Sequence, residues 1–94
     1  MKLMLTFTLK PETRDTAFGR FLKSGGRPPK GVALLGRWTR ADLNGGFVLL
    51  ESDDPAAVTE FALAWTDLME LTVVPVVEDR ELTQVFTGAG IKPT

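Results

Sequence analysis

Ninety-four residues, 44% apolar and 24% charged, make an ordinary folded domain rather than a disordered chain. Eleven basic against twelve acidic residues leave a net charge of −1. No segment is dense enough in Lys and Arg for phosphate neutralisation, which argues against nucleic acid as a partner. The absence of Cys, His and Tyr excludes disulfides, thiolate nucleophiles, imidazole bases and the usual ligand sets of zinc and haem, so no cofactor or metal is expected.

In chain order, residues 2–9 alternate as a strand, with Leu3, Leu5, Phe7 and Leu9 on one face and Met4, Thr6 and Thr8 on the other. That apolar run is broken by Thr and stopped by Pro11, too short to span a bilayer. The expectation is a cytoplasmic chain with no membrane partner. Pro11 and Glu12 suit the first turn of a helix, Ala17, Phe18, Phe21 and Leu22 recur at helical spacing, and Gly25-Gly26 supply a left-handed stop. Residues 27–31 form a Pro-Pro connector.

Residues 32–41 read as a second strand and 47–52 as a third. Asn44-Gly45 signals a two-residue hairpin turn, which pairs Leu43 with Gly46 and sets Trp38 opposite Glu51. Asp54-Pro55 is an N-cap with proline in the first helical position, and Val58, Phe61, Ala62 and Trp65 share one helix face. Residues 70–78 read as a fourth strand that Pro75 sends to an edge or a bulge. Asp79 is expected to cap a last helix with Leu82, Val85 and Phe86 inward, fraying at Gly88-Ala89-Gly90.

The order is β-α-β-β-α-β with a C-terminal helix: an α+β, ferredoxin-like sandwich in one domain over residues 1–94. A sheet covered on one side shows alternating polarity, yet both faces of strands two and three are apolar: Leu35, Val48 and Leu50 against Leu34, Trp38 and Leu49. A second covering layer is implied. A chain this small buries only roughly 60–65% of its unfolded surface, so a homodimer supplies that layer most simply.

Few residues could carry chemistry. The run 51–54 (Glu-Ser-Asp-Asp) lacks the spacing and central glycine of a calcium loop and reads as turn and cap. The Gly-rich stretch 25–31 follows a helix rather than opening one, and its prolines remove donors, so it is no phosphate cradle. Glu51 and Glu70 read as solvated strand-end groups rather than an acid–base pair. Arg37 inside a strand stands out, because a strand interior carries Arg when it is paired, at an edge or meeting a ligand. Arg37, Trp38, Glu51 and Trp65 are the candidate ligand-binding residues; the alternative is that both tryptophans pack and the charges line a dimer seam.

Residues 34–42 (LLGRWTRAD), 45–55 (GGFVLLESDDP), 21–36 (FLKSGGRPPKGVALLG), the opening MKLMLTFTL and the run from Trp65 through Asp67, Leu68 and Glu70 to Pro75-Val76 resemble the bacterial family DUF3303. The resemblance covers nearly the whole chain. It implies the dimeric α+β barrel superfamily, in which ferredoxin-like protomers pack sheet against sheet. That superfamily holds haem-degrading monooxygenases, small isomerases and ligand-binding modules, so the fold leaves the function open. Family members often carry His after the Arg-Trp pair, where this chain has Thr39.

The leading expectation is a small homodimeric module that binds an anionic or aromatic ligand without strong catalysis. Its alternatives are a cofactor-independent isomerase or monooxygenase, and a structural or regulatory homodimer with no ligand.

Overall fold

The computed structural model describes residues 1–94. Its elements are β1 (Lys2–Leu9), α1 (Arg14–Ser24), β2 (Ala33–Thr39), β3 (Gly45–Glu51), α2 (Pro55–Leu63), β4 (Met69–Val76) and α3 (Asp79–Gly88). The four strands form one sheet in the order β2-β3-β1-β4, every neighbouring pair antiparallel. This is the expected α+β, ferredoxin-like arrangement with a C-terminal helix. Pro75 lies in an edge strand, where its missing N–H costs the ladder least.

Alternation along the strands separates the two faces. Leu3, Leu5, Val48 and Leu50 point to the helix side and are buried against Val58 and Phe61 of α2. A smaller cluster, Leu9, Ala17 and Leu68, sits further along under α1. The other face carries Met4, Thr6, Trp38, Phe47, Leu49, Thr72 and Val74, with Lys2 and Glu51 at one end and Glu70 at the other.

The hairpin between β2 and β3 differs from the expected two-residue turn. Trp38 pairs with Phe47 and Thr39 with Gly46, while Glu51 pairs with Ala33. Gly45 is drawn into the sheet opposite Thr8, so it is unavailable to the turn. The loop closes instead through Asp42, whose Oδ1 accepts the Asn44 N–H at 3.0 Å, and the positive φ falls on Leu43 (63°). That hydrogen bond, followed by the charge of Arg40, holds the Asp42 carboxyl below the usual carboxylate range. A bulge at Leu35 further offsets the start of β2.

The helix ends follow local chemistry with three departures. Asp54 caps α2 by accepting the Ala57 N–H, and Pro55 takes the first position, as expected. Gly25 closes α1 by donating its N–H to Phe21 O at 2.7 Å. Pro11 and Glu12 lie in a turn ahead of α1, and Thr13 is its N-cap. Trp65 lies beyond the end of α2, in the turns of residues 64–68.

The largest departure is α3. Its N-cap is Glu78, in a reciprocal capping box with Glu81, rather than Asp79. Its C-terminus does not fray: Ile91 N–H reaches Phe86 O at 3.0 Å and Gly90 N–H reaches Thr87 O at 3.1 Å, a Schellman closure around Gly90. Leu82, Val85 and Phe86 face solvent instead of the core. With α3 extended, the chain is 50 Å long and its radius of gyration is 16.0 Å, against about 12 Å for a compact chain of this length. No helix is long and apolar enough to cross a membrane.

Candidate ligand cleft

The two core clusters do not meet completely, and a cleft opens between them. It lies between the helix side of the sheet and α1 and has a volume of about 100 Å³. Leu5, Val48 and Phe61 from the larger cluster and Leu9 and Ala17 from the smaller one form its floor and ends. Phe18, Phe21 and Trp65 add aromatic walls, and Arg37 and Thr39 bring the polar atoms.

Arg37 reaches the cleft because its β2 position pairs with the buried Val48 and so faces the helices. Its Nη1 donates to Gly25 O at 3.2 Å, and Nη2 donates to Gly26 O. The guanidinium carbon lies 5.2 Å from the centroid of the Phe21 ring. Gly26, at φ 57°, permits this approach, since a Cβ there would come within 3.0 Å of Arg37 Nη1 and 2.9 Å of the Phe21 ring. No carboxylate pairs with Arg37. Partial burial pushes its pKa down, yet an arginine stays charged at any physiological pH. Two of its five N–H groups are engaged; the other three have no hydrogen-bond partner in the protein.

Trp65 is placed by a clasp on the turns of residues 64–68. Arg20 of α1 donates from Nη1 to Ala64 O at 2.7 Å and grips Asp67 with both terminal nitrogens. Its guanidinium carbon lies 5.5 Å from the Trp65 ring centroid. Thr13 Oγ1 donates to Leu68 O at 2.7 Å and anchors the end of the same segment.

Of the four residues singled out in the sequence, the fold brings Arg37 and Trp65 to one cleft. Trp38 and Glu51 lie on the opposite face of the sheet and do not pair with each other, because of the longer hairpin loop. Phe18, Phe21, Gly26 and the Arg20–Asp67 clasp were not legible as site residues. The adjacent Gly25-Gly26, expected only to end a helix, was the available signal.

Residues 1–90 match the family described as Domain of unknown function (DUF3303). The chain belongs to the DUF3303 family. No curated protein matches it. The solved structure of Rv0793 from Mycobacterium tuberculosis is similar: 12% identity, 83% of this chain and 95% of that one covered, TM-score 0.50. At that identity the likeness is one of fold alone. For this DUF3303 chain, the reading of function rests on the cleft itself.

Proposed function

We propose that this protein is a small homodimeric binding module of the cytoplasm whose cleft takes a small monoanion with an aromatic or branched apolar tail. The observation that carries the reading is Arg37: a guanidinium without a counterion, at an apolar cleft, with donors to spare. A carboxylate would supply the missing charge and accept a paired hydrogen bond, while its tail would enter between Phe18, Phe61 and Trp65. The volume of about 100 Å³ is smaller than the roughly 150 Å³ of a protein cavity that admits benzene, so a branched tail such as that of isovalerate fits within it and a phenyl ring enters only in part. Arg37 is the one titratable side chain lining the cleft, which supports binding over acid–base chemistry. Pairing of protomers is supported by the apolar outer face of the sheet, where Trp38 is 55% and Phe47 44% exposed.

A thermal-shift and calorimetric series with benzoate, phenylacetate, isovalerate and their neutral amides tests the ligand class. The acids should stabilise wild type, the amides much less, and Arg37→Met should lose the response that Arg37→Lys partly keeps. Equal responses from wild type and Arg37→Met, or none from either, would reject the reading.

A further inference from the structure

Helix α3 is closed at both ends by local hydrogen bonds, yet every residue from Val77 to Thr94 is exposed. Isolated helices of about ten residues are marginal in water and gain most of their stability from packing an apolar face. Leu82, Val85 and Phe86 make such a face at i, i+3, i+4 spacing, and Ile91 extends it past the Schellman turn. The same chain carries a second uncovered apolar surface. On the outer side of the sheet Trp38 lies opposite Phe47 and folds back over Gly36, where any side chain would collide with the indole. The charged residues of that face stand only at its ends, at Lys2, Glu51 and Glu70.

We propose that α3 is an intersubunit arm whose apolar stripe packs on the Trp38–Phe47 pair of a second copy of this chain. The proposal rests on the dimer reading above and adds the contact that closes it. The apolar stripe of α3 is exposed, and so is the outer face of its own sheet at Trp38 and Phe47. A second copy offers the same pair of surfaces, so a two-fold axis places each arm on the other sheet and satisfies both at once. Area agrees. Trp38, Phe47, Val74, Val85, Phe86 and Ile91 are 41–62% exposed and together leave on the order of 600 Å² per protomer to bury. Two copies would bury on the order of 1,200 Å², the lower bound of a stable interface.

Sedimentation equilibrium of the full chain, with Phe86→Asp, Trp38→Ser and the double variant, tests this. Near-ultraviolet circular dichroism would confirm that each variant folds, with Phe86→Ala and Trp38→Leu as milder replacements. Wild type should dimerise at micromolar concentration. Each single change should raise the dimer dissociation constant at least tenfold, and the double change by clearly less than the product of the two, because the side chains touch across the interface. Effects that multiply would mean that the arm docks elsewhere, for example on α3 of the other copy, and would overturn the proposal. A wild-type dimer unaffected by Phe86→Asp would overturn the arm while leaving the dimer. A wild-type monomer would overturn both.

Discussion

Arg20 holds Asp67 in a two-pronged grip, Nη1 to Oδ1 at 2.9 Å and Nη2 to Oδ2 at 2.8 Å, directly beside the ring of Trp65. The hydrogen bonds from Arg20 keep the Asp67 carboxyl below its usual range. A carboxylate with a depressed folded pKa contributes stability above its unfolded pKa of about 3.9 and loses it as pH falls through the folded value. The wild-type melting temperature should therefore drop more steeply than that of Asp67→Asn as pH is lowered from 5 toward 2. At pH 7 Asp67→Asn should cost no more than a few degrees, as expected of an exposed pair. A larger loss should appear in ligand affinity, because the turns carrying Trp65 are loosened. Calorimetry across this pH range checks both.

Gly26→Ala tests how the Arg37 guanidinium is seated. Alanine must adopt φ 57° and its Cβ would crowd both Arg37 and Phe21. The left-handed conformation alone costs on the order of 1–2 kcal/mol, and the displaced guanidinium should weaken carboxylate binding as well. Denaturant melts and thermal shift in the presence of ligand separate the two effects. A variant as stable and as responsive as wild type would refute this seating of Arg37.

Ser52 is buried, its Oγ donating to Gly31 O at 2.6 Å and accepting from Asp54 N–H at 3.0 Å. It joins the connector before β2 to the cap of α2. Ser52→Ala leaves both partners unsatisfied, at about 1–3 kcal/mol, equivalent to roughly 5–15 °C in melting temperature. Ser52→Thr, which keeps the hydroxyl, should recover part of that loss if the extra methyl is accommodated.

Metal dependence is expected to be nil. Without Cys, His or Tyr, only carboxylates, Lys and Met remain as ligands, and no three carboxylates gather. Incubation with a strong chelator should leave the melting temperature within about one degree of its starting value. Stoichiometric iron or zinc in tag-free protein would contradict this expectation.

Local sequence determined the elements of this protein wherever a short-range rule decided the outcome. The alternation of Leu3, Leu5, Phe7 and Leu9 made β1, Asp54-Pro55 opened α2, Gly25 closed α1 and Pro75 marked an edge. The apolar character of both faces of strands two and three was equally legible, and on the outer face it stands as the Trp38–Phe47 patch. Tertiary structure decided which side chains meet. Gly45 had a strong turn propensity beside Asn44, but pairing with Thr8 of β1 recruited it to the sheet, and the resulting change of register moved the partner of Trp38 four residues, from Glu51 to Phe47. Arg37 became a cleft residue only through its pairing with the buried Val48. The apolar stripe of α3 looked like a core face because periodicity records that a face is apolar, not which molecule covers it. Register and docking depend on contacts between residues far apart in the chain, and a hydrophobic pattern read along one strand or helix contains no term for them.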